Sequence, residues 1–169
     1  IDDALESEDR AVWEKAFAGA CRMVLLRDGG LDALIEELRG RAGGNPRAAR
    51  LLAAAAWQQG DLPLARDVLG ELAAKPGANA DIGAELSRVE EMLGNDPAAL
   101  KALDQSIAAE RSPDVLTALR IRKAMILYDG KDPSAAGATL HAIVKDRPEL
   151  STFCSHIAGL CDDSATAAA

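Results

Sequence analysis

The stretch that most constrains this chain runs from Trp57 to Leu72, where an alanine-rich run stops at Gly60 and a second apolar run starts almost at once. Asp61 stands where a side-chain oxygen can cap the second run, and Pro63 falls in its first turn, where a missing N–H costs no intrahelical bond. Leu62, Ala65, Leu69 and Leu72 follow at steps of three and four, which places them on one helical face. This is a helix–turn–helix hairpin, and weaker copies of it precede and follow.

Taken in order, residues 1–9 form an acidic lead without a signal-peptide pattern or an initiating methionine, as expected of a mature form or an excised piece. Trp13, Phe17, Ala20 or Cys21, and Val24 give the next helix its apolar side, Asp28-Gly29-Gly30 breaks it, and Leu31, Leu34, Ile35 and Leu38 make its partner. Hairpins are expected over about 10–41, 45–75, 79–110 and 112–147, followed by a capping helix over 149–161 with Phe153, Ile157 and Leu160 on one face, and a disordered tail over 162–169. Residues 10–161 are thus read as one domain of nine helices. A capping residue directly before proline recurs as Asn45-Pro46, Asp96-Pro97, Ser112-Pro113 and Asp132-Pro133, and each pair marks a helix start. β-Branched residues are scattered, no alternating run is long enough for a strand, and aromatic residues make up only 3% of the chain.

Gly29, Gly60, Gly94 and Gly130 lie 31, 34 and 36 residues apart. A period near 34 built from helix pairs resembles the tetratricopeptide repeat. Leu52, Ala53 and Ala56 match the inward positions of that family's first helix, Gln59-Gly60-Asp61 its turn, and Ala65, Leu69 and Leu72 its second helix. Ala99 and Ala135 stand five residues after their glycines as inward alanines, and Leu34 does so in the first hairpin. The repeats are degenerate: the family's early tryptophan and helix-A tyrosines are replaced by alanine or leucine, and Thr139 and Ser106 fall at positions that are usually apolar. The resemblance implies an all-α, right-handed α-solenoid of about four hairpins plus a C-terminal capping helix, each hairpin stable only by stacking on its neighbours.

Little in the chain points to chemistry. Cys154, His156 and Cys161 form a single cluster, whereas a structural zinc site needs a second ligand pair. Cys154 and Cys161 share a helical face but stand about 10 Å apart by helical rise, beyond the ~7 Å reach of a disulfide. With Cys21 they read as buried helix cysteines, and an odd count without framework spacing favours a reducing compartment. No glycine-rich phosphate loop, nucleophile elbow or acid–base set is present, so the chain is expected to be non-enzymatic, with no cofactor and no metal. A formal charge of −8, from 27 acidic and 19 basic residues, argues against nucleic-acid binding, and no apolar run is long enough for direct membrane insertion.

In the family this chain resembles, the first helix of each hairpin lines a concave groove. Counted back from the turn glycines, that face holds Arg47, Arg50, Ala54, Trp57 and Gln58 in the second hairpin, and Thr117, Arg120, Ala124, Leu127 and Tyr128 in the fourth. The third gives Asp81, Ala84, Arg88, Glu91 and Met92, and the first Met23, Leu26 and Arg27. The expected partner-binding residues are Arg27, Arg47, Arg50, Trp57, Gln58, Arg88, Arg120 and Tyr128. Arginine and aromatic side chains are enriched where binding energy concentrates, although arginines lying over their own stems would look the same in sequence. The asparagines with which chaperone-binding members clamp a terminal carboxylate are absent, since Ala54 and Ala124 stand there. The expectation is a scaffold holding a protein or peptide segment of acidic character. The alternatives are an assembly module that pairs copies of the chain as a homo-oligomer, and a docking domain of a larger protein.

Overall fold

A computed structural model of the protein describes residues 30–130 and 132–167. Among the described residues every regular element is helical: α1 (Gly30–Ala42), α2 (Pro46–Gln59), α3 (Leu62–Ala73), α4 (Ala80–Met92), α5 (Asp96–Ala109), α6 (Pro113–Asp129), α7 (Pro133–Asp146) and α8 (Ser151–Ala167), with a short 3₁₀ turn at Pro148–Leu150. The helix expected over residues 10–27, with Trp13, Phe17, Cys21, Met23, Leu26 and Arg27, lies outside the described residues. α8 runs on to Ala167, through the first residues of the tail expected over 162–169. Residues 162–167 contain neither glycine nor proline, and alanine is the strongest helix former.

The chain divides into two compact units, residues 1–78 and 79–169, where the sequence suggested one domain over 10–161. The division falls just after Pro76-Gly77. In the first unit α2 packs against both α1 and α3. Leu34, Ile35 and Leu38 of α1 meet Ala48, Leu51, Leu52 and Ala55 of α2, with Leu64 and Val68 of α3 along the side. The turn between α2 and α3 is built as its sequence implies. Gly60 adopts φ 86°, a left-handed conformation that glycine enters without a Cβ penalty. The N–H of Asp61 then donates to the Ala56 carbonyl at 2.9 Å, and the Asp61 carboxylate accepts from the N–H of Leu64 at 3.1 Å.

In the second unit α4 pairs with α5, α6 with α7, and α7 with α8. Ala99 and Leu103 of α5 share a core with Leu119 and Ile126 of α6. Ala124 of α6 and Ala136, Leu140 and Ile143 of α7 pack on Cys154, Ala158 and Cys161 of α8. The capping face of α8 is therefore formed by Cys154, Ala158 and Cys161, with Ile157 packed partly buried beside them. Phe153, expected on that face, points outward and is exposed.

Two of the four cap–proline pairs work as side-chain caps. Asn45 accepts from the N–H groups of Arg47 and Ala48 at 2.9 and 3.2 Å, and Asp132 accepts from that of Ala135 at 3.0 Å. Asp96 is instead the first residue of α5, and Asn95 before it donates to Glu90 at 3.0 Å. Ser112 makes no side-chain cap, and the Glu110 carboxylate accepts from the N–H groups of Arg111 and Ser112.

The inward alanine of the fourth hairpin is also displaced by one. Ala65, Ala99 and Ala136 are all fully buried, whereas Ala135 is only half-buried. All three stand three residues after a helix start, so the register follows the helix start rather than the turn glycine. Ser106 and Thr139 satisfy their hydroxyls locally, donating to the carbonyls of Ala102 at 3.1 Å and Ala135 at 2.8 Å. A polar residue is thereby tolerated at an apolar position.

Candidate functional site

The first unit places its candidates on α2. Asn45 fixes one end of this helix and Gly60 the other, so its rotation is pinned. Ala48, Leu51, Leu52, Ala55 and Ala56 are buried. Arg47, Arg50 and Trp57 are partly exposed and Gln58 is exposed, and the steps of three and seven put the two arginines and the indole on one face. Gln59 donates to the Asp32 carboxylate, tying the end of α2 to the start of α1. Arg27 lies outside the described residues.

The second unit treats its candidates differently. Arg88 is exposed on α4. The Arg120 guanidinium is held by Asp146 at the last residue of α7, at 2.6 Å. Arg122 and Glu91 pair across α6 and α4 at 2.5 Å, Lys123 and Asp104 across α6 and α5 at 2.6 Å, and Arg147 reaches Asp114 at 2.8 Å. Pairs of this kind, open to solvent, contribute roughly 0–1 kcal/mol each. Their chief effect is on register, because each joins a specific position of α6 to a neighbouring element.

Tyr128 is 45% exposed and lies beside Met125, which is 60% exposed. Both line a cavity of about 250 Å³ together with Ala124, Asp129, Leu140, Ile157 and Cys161, so that α6, α7 and α8 all contribute. Apart from Tyr128 and Ala124, this set is absent from the sequence-derived surface. A signal was available, since Ala124, Met125, Ile126, Leu127 and Tyr128 are consecutive. Five successive apolar residues on a helix cannot all face one neighbour, so some must be covered from another side or stay in solvent. Here Ala124 and Ile126 are buried while Met125 and Tyr128 are not.

Among the described residues no group of three or more His, Cys, Asp or Glu side chains is placed to hold a metal ion. His141 and His156 are exposed. Cys154 and Cys161 are buried on the core side of α8, and burial pushes the Cys154 thiol above its ordinary pKa. A buried thiol with its pKa raised in this way is an inert packing group. No described helix is long and apolar enough to cross a membrane.

The helix order, hairpin turns and buried alanine register define an all-α fold of repeated helical hairpins. Among solved structures the chain is similar to one described as the crystal structure of MamA, with a TM-score of 0.62 and 16% sequence identity over 95% of this chain and 91% of that one. That likeness is one of fold. No family model matches the chain, and no curated protein matches it.

Proposed function

We propose that this chain is a non-catalytic protein-interaction scaffold that holds a peptide or partner segment against the first helices of its hairpins. The observation that carries this reading is the face of α2, where Arg47, Arg50 and Trp57 stand together, partly exposed, in a protein of net charge −8. A planar guanidinium holds a carboxylate bidentately, and an indole adds apolar contact at low entropic cost. An acidic or mixed acidic–apolar segment fits this face. Gln58 belongs with the face of α2, and the residues expected in the second unit, Arg88 on α4 and Arg120 and Tyr128 on α6, are proposed as a separate contact surface of that unit, with Arg120 reaching a partner only by exchanging Asp146 for it.

The test uses fluorescein-labelled peptides of Asp, Glu and Leu, with binding read by polarisation. Arg50→Glu weakens binding more than Arg66→Glu, whose native guanidinium pairs with Asp67 at 2.7 Å on α3, and helicity is unchanged in both. Added salt lowers the affinity. If binding survives Arg50→Glu with Trp57→Ala but is lost when residues 149–167 are deleted from a chain that still folds, the terminal helix is the interface instead.

A second reading, assembly with another copy, is favoured by Phe153, an aromatic ring 55% exposed on α8. Solution mass decides between them. A stable oligomer that Phe153→Ser converts to a monomer supports assembly, and a monomeric wild-type chain removes it.

A further inference from the structure

The cavity beneath Met125 and Tyr128 has a size, a rim and a charge that together describe an occupant. We infer that it seats one large apolar side chain of a partner peptide that also carries a lysine or arginine beside that anchor. This inference rests on the scaffold reading and adds a second recognition element to it, chemically opposite to the arginine face of α2.

Size comes first. At about 250 Å³ the cavity exceeds the roughly 150 Å³ that accepts a benzene-sized ring, and falls short of the about 300–1,000 Å³ typical of sites that enclose whole ligands or cofactors. One phenylalanine, leucine or tryptophan side chain fills it. Its walls are Ala124, Leu140, Ile157 and Cys161, all buried or half-buried on packed helices, so the hollow is preformed.

The rim argues for a macromolecule over a free apolar compound. Met125 and Tyr128 line the cavity yet leave 60% and 45% of their surface in water. A small molecule within the hollow would leave that surface exposed, whereas a peptide anchored by one side chain would cover it. Methionine is also suited to such a rim, because its flexible thioether adapts to varied partners.

Charge selects the flanking residue. The cavity lies along the last turns of α6, at the negative end of that helix's dipole. Asp129 lines it, and the Asp96 carboxylate sits 3.6 Å from where a Cβ on Gly130 would stand. Asp132 caps α7 in the same turn, against the single Lys131 in that stretch of sequence. A cation beside the anchor is favoured there, and a carboxylate is repelled.

The test is selection of random 12-residue peptides displayed on phage against the whole chain, followed by polarisation measurements on the enriched sequences as synthetic, fluorescein-labelled peptides. The expected consensus is one Phe, Leu or Trp with Lys or Arg within a helical turn. Ala124→Leu, which fills the hollow, weakens these peptides by between about ten- and about a hundred-fold, the equivalent of one lost buried anchor. Because Ala124 is buried, Met125→Lys and Tyr128→Ser provide a second pair of variants on exposed positions that leave the core intact, and both reduce binding about tenfold. Asp129→Lys shifts the preference toward acidic flanks. Arg50→Glu leaves these peptides unaffected. A consensus that is acidic, lost on Arg50→Glu and indifferent to Ala124→Leu and Met125→Lys overturns the cavity inference while preserving the scaffold reading. No enrichment at all sinks both. Binding of a free fatty acid or anilinonaphthalene sulfonate that is abolished by Ala124→Leu, with no peptide competing for it, assigns the hollow to small apolar ligands and likewise overturns the inference.

Discussion

Gly83 stands in the fourth residue of α4, where general helix propensity and this particular packing make opposite demands. In an exposed helix interior, replacing glycine by alanine stabilises by about 0.8–1.0 kcal/mol, because the unfolded chain loses freedom and the helix gains a methyl. At Gly83 an added Cβ would lie 2.3 Å from the Ser106 hydroxyl and 2.9 Å from the Ala102 carbonyl oxygen of α5. The hydroxyl can rotate at the cost of its 3.1 Å bond to Ala102, but the carbonyl is fixed in the α5 backbone. The two helices must then separate, and overpacking of this kind costs about 1–3 kcal/mol. After the propensity gain is offset, Gly83→Ala is expected to destabilise by up to about 2 kcal/mol, lowering Tm by up to about 8 °C for a chain of this size. Gly70→Ala in α3, where nothing lies within 4 Å of the new Cβ, is the control and should stabilise by about 0.5–1 kcal/mol. Ser106→Ala in the Gly83→Ala background removes the nearer clash only, so it should recover part of the loss and give a non-zero coupling in the double-mutant cycle. Urea and thermal unfolding followed by far-ultraviolet dichroism measure the wild type, the two glycine variants, Ser106→Ala alone and the double variant. A Gly83→Ala protein as stable as Gly70→Ala would refute the close approach of α4 and α5.

Asn45→Ala and Asp132→Ala should each cost about 1 kcal/mol by removing a made cap, while Ser112→Ala, which loses none, should be close to neutral; equal losses at all three would show that the caps are not formed. Leu103→Ala, in the core of the second unit, should cost about 2–5 kcal/mol in the same unfolding experiments, and a smaller loss would mean that site is not packed as described. In a Cys21→Ser background, Cys154 and Cys161 should react with a disulfide reagent only once the chain is denatured. Because burial raises the Cys154 pKa, its contribution to stability is intact below the ordinary thiol pKa and falls as pH rises toward the raised value; fast modification of the native protein at neutral pH would contradict this. Arg147 donates to Glu149 and holds its carboxyl below the usual range, so this small surface contribution is present at neutral pH and lost as pH falls through the depressed value. A carboxyl-carbon titration by NMR should return Glu149 to ordinary behaviour in Arg147→Met, and an unchanged titration would dismiss the pairing.

What the sequence determined by itself is local. Prolines, capping residues and glycines act within a few positions of the backbone bonds they make or prevent, so the starts of α2, α3, α5, α6 and α7 and the left-handed turn at Gly60 were legible from spacing alone. The apolar steps on α2 and α3 likewise foretold the burial of Leu52, Ala53, Ala56, Ala65, Leu69 and Leu72, though not of Ala48 and Ala49, and Leu62 is only half-buried. Only the tertiary structure decided matters that depend on a neighbour distant in sequence. The pairing of Arg120 with Asp146 and the packing of Gly83 against α5 are of this kind, as are the burial of Ala136 in place of Ala135, the outward turn of Phe153, and the continuation of α8 to Ala167. The cavity beside Tyr128 is the clearest case. Its walls come from three helices, and the periodicity of α6 alone cannot say which of five consecutive apolar side chains α7 and α8 will cover. Helix periodicity assigns a direction to each side chain, and only packing determines what occupies the space it points into.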